Sequence, residues 1–267
     1  FGLQGFGAHT NNAEYVLQRR AYEIDRGQPA KWSGAAYSLL QWHKLARYER
    51  HICRLAAGVI AASELDRRAL LALDKHLRTA VIPNGVDTDH YQPRGAREQG
   101  HDPRLIFVGT MDFRPNVDGV QWFCRRIWPG ILAQVPETSL WIVGRDPKAE
   151  VRALADGRRV AVTGAVEDVR PYLASADIAV VPLRIGGGSR LKVLEAMAAG
   201  VPIVSTSLGC EGTAVAASTA VIADQPEEFG RAVVDLLRDA GRRQALAEAA
   251  RGLVEQAYDW RVIVPRL

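Results

Sequence analysis

The amino-acid sequence predicts an α/β fold with a doubly wound, Rossmann-like parallel sheet in the C-terminal part of the chain. Two observations lead to this prediction. The 267 residues are 48% hydrophobic and 24% charged, which is ordinary for a globular protein that buries a sizeable core. In the second half, short apolar runs alternate with amphipathic stretches. Strands that are apolar on both faces, with helices between them, are typical of a parallel sheet covered on both sides.

Six apolar runs are the predicted strands of this sheet. They are LIFVG (105–109), SLWIVG (139–144), RVAVTG (159–164), DIAVVPL (177–183), VPIVST (201–206) and AVIA (220–223). The predicted helices lie between them, at 116–134, 147–156, 167–175 and 189–199. Together these elements make a domain of about 150 residues, a normal size. Trp122, Trp128 and Trp141 fall in apolar segments and are expected to pack in its interior.

The first ninety residues predict a smaller unit. Strands at 58–63 and 79–83 accompany helices at 14–26, 34–56 and 64–74, and Ser63 with Asp66 matches a cap for the last helix. Such a small sheet leaves an edge and an uncovered face. We therefore expect that a front portion is missing, as the start at Phe1 suggests, or that the unit packs on the C-terminal domain. The predicted organisation is a partial N-terminal domain (1–92), a Gly- and Pro-rich linker (93–104), a C-terminal domain (105–256) and a terminal helix (257–267).

Charge and cysteine content narrow the function classes. The net charge of +4 permits attraction to anionic lipid or phosphorylated ligands without requiring it, and no basic block interleaved with aromatic residues indicates nucleic-acid binding. No apolar run is long enough for a membrane span. Cys53, Cys124 and Cys210 lack metal-ligand spacing, as do the six histidines, and are expected to be reduced thiols or small buried hydrophobes.

The stretch RIGGGSR (184–190) follows the predicted strand DIAVVPL and opens a helix. Ligands bind at the carboxyl ends of the strands in an open α/β sheet, and the glycines allow the backbone to approach a ligand closely. The free N–H groups at the helix start carry partial positive charge, to which Arg190 and Lys192 add two full charges. The sequence therefore predicts an anion site here. Neither GxxxxGK[ST] nor GxGxxG is present, which argues against P-loop and nicotinamide chemistry.

Glu195 lies one turn inside the same helix, beside an inward stripe predicted to consist of Leu191, Leu194 and Ala198. A carboxylate at the edge of a buried stripe needs partners. Two partners fit: Lys192, three residues back, in a structural ion pair, or two sugar hydroxyls of a bound ligand.

Two motifs carry a family resemblance. LKVLEAMAAGVPIVST (191–206) and IPNGVDTDHYQP (82–93) resemble the retaining, family-4 glycosyltransferases of the GT-B fold, most closely a subgroup associated with exopolysaccharide biosynthesis. The segments LIFVGTMDFRPNVDGVQWF, VTGAVEDVRPYLASADIAVVPL and AYDWRVIVPRL fit the same family. The resemblance implies a nucleotide diphosphate sugar as donor, a glycan or lipid-linked acceptor, transfer with retention and no metal. It also implies a cytoplasmic location with weak association at the inner membrane face, and a terminal helix that crosses back to the N-terminal domain, with Trp260 packed there.

The resemblance also assigns the donor site to the C-terminal domain. Glu195 would hold the ribose of the nucleotide. Glu195 matches the second carboxylate of the family's Glu-x7-Glu pattern, and the first, which holds the transferred sugar, is replaced by Gly187, so the backbone amides of Gly187 and Gly188 would hold the sugar. The family's diphosphate-binding Arg and Lys are replaced near Thr110 and Asn116, so we expect Arg190 and Lys192 to take that role. The expected donor-binding residues are Gly109, Thr110, Arg114, Arg145, Val166, Gly187, Gly188, Ser189, Arg190, Lys192, Leu194 and Glu195.

Further expectations concern the base, the sugar and the turns. The base would lie against the backbone near Ala165 and Val166, while Arg114 and Arg145 are either donor-site cations or surface residues. Glu167 and Asp168 are expected at a helix start, and Asn84 and Asp87 in a turn.

AHTNNAEYVLQRR (8–20) resembles a Thr-His-Asn-x-Glu segment of the subgroup, with Asn11 in place of the histidine that points at the transferred sugar. The candidate catalytic residues are Asn11, Glu14, Arg190 and Lys192. The alternatives are a non-catalytic nucleotide-sugar binding module or truncated remnant and, with less support, a dinucleotide-dependent oxidoreductase.

Overall fold

The computed structural model describes residues 7–10, 13–27, 29, 32–93, 101–186 and 190–266. Its N-terminal part contains a three-stranded parallel sheet in the order β1-β2-β3. The elements are β1 (Gly7–Thr10), α1 (Glu14–Asp25), α2 (Trp32–Leu55), β2 (Gly58–Ala61), α3 (Glu64–Leu73) and β3 (Thr79–Val81). A small core of Cys53, Val59, Ala61 and Leu70 holds the sheet to its helices. The Ser63 hydroxyl accepts a hydrogen bond from the Asp66 backbone at 3.0 Å, so the predicted cap of α3 is confirmed.

The C-terminal part is a six-stranded parallel sheet with helices on its faces, and the predicted fold class is confirmed. Its strands are β4 (Arg104–Val108), β5 (Ser139–Val143), β6 (Val160–Gly164), β7 (Ile178–Val181), β8 (Ile203–Ser205) and β9 (Val221–Ile222). Its helices are α4 (Arg114–Trp122), α5 (Trp128–Leu132), α6 (Ala149–Arg152), α7 (Arg170–Ala174), α8 (Leu191–Ala198), α9 (Pro226–Arg238), α10 (Ala240–Ala257) and α11 (Trp260–Ile263). A π-helical turn at Phe123–Ile127 joins α4 to α5, and a 3₁₀ turn at Val264–Arg266 follows α11.

The strand order of this sheet is β6-β5-β4-β7-β8-β9. The order runs outward in both directions from β4 and β7, which is the arrangement of two mononucleotide-binding halves in a doubly wound sheet. A crevice opens at the carboxyl ends of the two central strands, because the connections that follow β4 and β7 leave toward opposite sides. The topology therefore places the loops after β4 and β7 at the expected ligand position.

The main core lies between this sheet and its helices. Phe107, Phe123 and Phe229 are fully buried, and Phe123 meets Phe229 edge-on at a centroid distance of 5.8 Å. Trp128 is buried, as predicted, while Trp122 and Trp141 are half-buried and pack against the core. All three cysteines are free thiols, and Cys53 and Cys210 are buried.

Local contacts explain why two of the predicted helices begin at other residues than expected. The helix predicted from 116 begins at Arg114, because Pro115 fits the first turn, where its missing N–H has no partner to lose. The helix predicted from 167 begins only at Arg170, because the Asp168 carboxylate accepts a hydrogen bond from the Arg170 backbone at 2.9 Å. Asp168 thus lies just before the helix rather than inside it.

The end of the chain returns to the turn after β3. The Val86 backbone donates to Tyr258 at 2.8 Å and accepts from Trp260 at 3.3 Å. A Cβ at Gly85 would lie 2.7 Å from the Trp260 ring, so glycine is required there. Asp87 accepts hydrogen bonds from the backbone of Asp89 and His90, both at 2.9 Å, and braces the turn as predicted.

Candidate functional site

The candidate site lies at the carboxyl ends of β4, β5 and β7. The loops after β4 and β5 touch, because a Cβ at Gly144 would lie 1.8 Å from the Gly109 carbonyl oxygen. Gly144 has a φ of +150°, a conformation open to glycine. The Gly109 backbone donates to the Val143 carbonyl at 3.0 Å. This close approach fixes the floor of the crevice.

Helix α8 points its N-terminal end at the same edge. Arg190 is the residue before its first turn, and its carbonyl accepts from the Val193 backbone at 2.8 Å. The amide dipoles of α8 give that end partial positive charge. The structure therefore brings an electropositive helix end to the crevice, as the glycine-rich sequence predicts.

Lys192 lies beside the loop after β4. Its ammonium group donates to the Asn116 side-chain oxygen at 2.6 Å and lies 4.6 Å from the centre of the Phe107 ring. Asn116 in turn donates to the Thr110 carbonyl at 2.9 Å. We call Gly109, Thr110, Asn116 and Lys192 the lysine cluster. Asn116, expected to stand where the family has a diphosphate-binding cation, instead orients Lys192 through its side-chain amide.

Burial and the nearby positive charge of Arg190 lower the pKa of Lys192 to about 7. Glu195 opposes this shift only in part. A desolvated cation raises the free energy of the ligand-free protein, so an anion that binds beside it stabilises it more than it would an exposed cation. The pKa of Lys192 is therefore expected to rise when an anion binds beside it.

Arg190 is buried, with 6% of its surface exposed. Its Nε and Nη2 atoms donate to the Leu208 carbonyl at 3.2 and 3.0 Å. A Cβ at Gly186 would lie 2.8 Å from Nη2, so the guanidinium packs directly on the glycine. Burial lowers the pKa of Arg190, and the charge of Glu211 opposes that shift. Arg190 is thus held by protein groups around Gly186.

Glu195 is half-buried and hydrogen bonds to the phenol of Tyr91. Burial raises the pKa of Glu195, and the Tyr91 hydrogen bond and the charge of Lys192 act in the opposite direction. The pKa of Tyr91 is raised by burial and by this carboxylate. Of the two partners considered for Glu195, Lys192 donates to Asn116 instead, so the carboxylate is oriented by a tyrosine that the sequence analysis did not identify.

The predicted inward stripe of α8 is wrong at one residue. Leu191 is 45% exposed, whereas Leu194 and Ala198 are buried. The helix also buries Val193 and Met197, so its inner face is rotated away from Leu191. The Leu194 side chain belongs to the core, which leaves only its backbone for a donor contact.

The other predicted site residues that the structure describes are paired with other groups, exposed to solvent or packed against the core. Arg114 forms an ion pair with the buried Asp25 of α1. Arg145 is exposed, and its Nε atom lies 3.7 Å from a carboxylate oxygen of its neighbour Asp146. Val166 is half-buried against the core, and Glu14 is exposed at the start of α1. Asn11, Gly187, Gly188 and Ser189 lie outside the described residues.

Two residues that sequence reasoning missed connect α1 to the site. Arg20 donates from Nη1 to the Gly186 carbonyl at 2.6 Å and binds both carboxylate oxygens of Glu211 at 2.5 and 2.7 Å. Arg20 and Glu211 are 191 positions apart in the chain, so no local sequence pattern predicts that they pair. The same holds for Tyr91, which the sequence placed near the end of the partial N-terminal domain (1–92), far along the chain from Glu195.

The family model of the glycosyl transferases group 1 matches residues 102–239, which include the sheet and the whole lysine cluster. The chain belongs to the glycosyl transferase group 1 family. Its sequence is 32% identical over 230 residues to a phosphatidyl-myo-inositol mannosyltransferase of Mycobacterium leprae, covering 79% of this chain and 57% of that protein.

A second relative is a GDP-mannose-dependent monoacylated alpha-(1-6)-phosphatidylinositol monomannoside mannosyltransferase of Corynebacterium glutamicum. It is 27% identical over 222 residues, covering 75% of this chain and 58% of that protein. The chain therefore spans a little over half the length of these curated relatives.

Solved structures give the same fold. Sucrose-phosphate synthase from Thermosynechococcus elongatus matches with a TM-score of 0.70 at 23% identity, over 84% of this chain and 60% of that one. HepE of Anabaena, in complex with UDP and glucose, matches with a TM-score of 0.69 at 17% identity, over 84% of this chain and 65% of that one. These neighbours have the GT-B fold, as the resemblance implies for this chain.

Among the described residues, no helix is long and apolar enough to cross a lipid bilayer. Nor do these residues contain a group of three or more His, Cys, Asp or Glu side chains arranged to hold a metal ion. Metal independence and the peripheral membrane location stay predictions.

Proposed function

We propose that this chain binds a nucleotide diphosphate sugar and serves a retaining, family-4 glycosyltransferase that passes the sugar to a glycan or lipid-linked acceptor in exopolysaccharide biosynthesis. The single observation that carries the proposal is the lysine cluster at the N-terminal end of α8, at the switch point of a doubly wound sheet. A half-buried cation, a helix end and a nearby carboxylate together match a diphosphate with an attached ribose.

The diphosphate would bind against Lys192 and the start of α8. Its oxygens would replace or join Asn116 as partners of the ammonium group, which supplies a charge-assisted hydrogen bond. Arg190 adds positive charge from behind Gly186. During transfer, negative charge grows on the departing diphosphate, and fixed positive groups that already face it lower the barrier.

Glu195 would accept hydrogen bonds from the two ribose hydroxyls. The Tyr91 phenol holds the carboxylate in place and leaves other lone pairs for the ligand, since a carboxylate offers about four acceptor positions. The backbone near Ala165 and Val166 would lie against the base. Retention and the exopolysaccharide role rest on the resemblance of the two motifs.

The relatives suggest which donor to test first. One named relative is GDP-mannose-dependent and two act on phosphatidylinositol derivatives. The HepE structure holds UDP and glucose. GDP-mannose and UDP-glucose are therefore the first donors to test, with a phosphatidylinositol as the first lipid acceptor.

Calorimetric titration of the protein with GDP-mannose and UDP-glucose tests the proposal. We expect micromolar to millimolar affinity for at least one of them and loss of binding in the R190A/K192A double variant. Equal affinity in that variant would remove Arg190 and Lys192 from the diphosphate site. Binding without transfer to any acceptor would instead select the non-catalytic binding module.

A further inference from the structure

Helix α1 contributes an arginine to the edge of the donor site. Arg20 lies on the N-terminal part of the chain, yet its Nη1 atom donates to the Gly186 carbonyl at 2.6 Å. The same guanidinium grips both oxygens of Glu211, in the segment after β8, at 2.5 and 2.7 Å. A guanidinium that makes three hydrogen bonds in a fixed fork is a rigid connector, because its geometry leaves little freedom to any partner.

Gly186 is held from two sides. Arg20 binds its carbonyl, and the Arg190 guanidinium packs on its Cα, where a Cβ would lie 2.8 Å from Nη2. The φ of Gly186 is +149°, a conformation that favours glycine. The backbone at Gly186, in the loop after β7, is thus fixed by Arg190 at the start of α8 and by Arg20 of α1.

Glu211 supports both arginines. It accepts the bidentate pair from Arg20, and its charge stabilises the buried Arg190 cation, whereas Arg20 and Arg190 repel each other. Both side chains of the Arg20–Glu211 pair are about three-quarters buried, with exposed fractions of 23% and 25%. Pairs of this kind are screened less than surface pairs, and breaking one leaves an uncompensated charge.

Helix α1 is also anchored independently of Arg20. Asp25, at its C-terminal end, is buried and forms an ion pair with Arg114 at the start of α4. This second contact keeps α1 against the C-terminal part when Arg20 is changed. The effect of Arg20 on Gly186 can therefore be separated from loss of the helix contact.

We propose that Arg20 is a positioning residue of the donor site, which fixes Gly186 and Glu211 from across the crevice and so sets the affinity for the nucleotide sugar. The inference rests on the proposed function. Arg20 touches no reacting group. It acts through the backbone of Gly186 and through the charge balance of Arg190.

The test compares R20Q with R19Q. Arg19 is the adjacent arginine of the same helix. It pairs with Glu23 at 2.8 Å, four residues away, and its guanidinium lies 5.7 Å from the centre of the Trp42 ring of α2. Calorimetric titration with GDP-mannose and UDP-glucose should show at least tenfold weaker binding for R20Q and unchanged binding for R19Q. R20K keeps the charge but not the fork, so its affinity should lie between those of R20Q and the unchanged protein.

Hydrogen–deuterium exchange without ligand supplies a second measurement that does not depend on donor binding. The peptide that contains Gly186 should exchange faster in R20Q than in R19Q, while the peptides of β4 and β5 stay protected in both. Equal affinity and equal exchange in R20Q and R19Q would overturn the role of Arg20 and leave the proposed function intact.

A failure of the proposed function gives a different pattern. If the unchanged protein binds neither nucleotide sugar, the proposed function is wrong, and the exchange measurement alone decides the role of Arg20. Faster exchange at Gly186 would then support the positioning role, and unchanged exchange would overturn it.

Discussion

At the scale of single residues, Lys192 is the most informative group in the molecule. Its pKa of about 7 results mainly from burial. A diphosphate stabilises the charged form and raises the pKa in the complex, so binding takes up a proton above pH 7. The affinity for GDP-mannose or UDP-glucose should therefore fall as the pH rises from 7 to 9.

This prediction is measured by calorimetry at several pH values with a nucleotide sugar, whose diphosphate has no titrating group in that range. The K192R variant is the control, because a guanidinium stays charged throughout. Its affinity should not vary with pH. A wild-type affinity that is constant from pH 7 to 9 would contradict the role of Lys192.

Tyr91 allows a second prediction for a single residue. Y91F removes the phenol that hydrogen bonds to Glu195, a loss of about 1 kcal/mol. The pKa of Glu195 should rise further, and donor binding should weaken roughly fivefold. Isothermal titration with the donor measures the change. Y48F, at an exposed tyrosine of α2, serves as the control, and equal affinities in the two variants would rule out the ribose assignment.

Gly109 gives a third prediction, which concerns packing. In G109A the added Cβ would lie 2.7 Å from Asn116 Nδ2 and 2.8 Å from Lys192 Nζ, so the lysine cluster must shift. We expect a loss of about 1–3 kcal/mol of unfolding free energy together with weaker donor binding. G130A is the matched control, because a Cβ at Gly130 meets nothing within 4 Å. Urea unfolding and calorimetry give the two values, and a G109A protein as stable as G130A would refute the close packing.

At the scale of elements, the hydrophobic pattern predicted which segments form strands and helices, but not how each helix is rotated. The run at 105–109 matches β4 to within one residue at each end, and the run at 177–183 contains β7, since a buried parallel strand needs an unbroken apolar run. The hydrophobic pattern wrongly predicted that Leu191 faces the core, because an eight-residue helix has too few positions to define its inner face. It also placed the start of α7 too early, since a carboxylate before a helix resembles one inside its first turn.

Helix α11 carries a prediction at this scale. Asp259 accepts hydrogen bonds from the Arg261 backbone at 2.7 Å and from the Thr88 backbone. The hydrogen bond from the Arg261 side chain, together with these backbone bonds, holds the pKa of Asp259 well below its usual range. D259A should cost about 1–2 kcal/mol of unfolding free energy as a lost helix cap. Because the pKa is lowered in the folded state, the contribution is present above about pH 4 and is lost as the pH falls further. Unfolding curves of D259A and the unchanged protein should therefore converge in acid, and a constant difference down to pH 2 would contradict this account.

At the scale of the whole molecule, the sequence singled out a candidate anion site because local features coincide there: a strand end, glycines and a helix start with two cations. It could not show that Asn116 and Lys192 meet, since 76 residues separate them. The contacts of Arg20 with Gly186 and Glu211 were beyond reach for the same reason. These contacts form only when the N-terminal and C-terminal parts of the chain pack together. Sequence motifs cannot predict a site that is formed in this way.

The account as a whole places the nucleotide sugar between α8 and the loop after β4. A crystal structure of the protein soaked with GDP-mannose or UDP-glucose tests this most directly. We predict the diphosphate within hydrogen-bonding distance of Lys192 Nζ and the start of α8, and the ribose hydroxyls on the Glu195 carboxylate. A nucleotide bound elsewhere, with Lys192 still donating to Asn116 alone, would contradict the account.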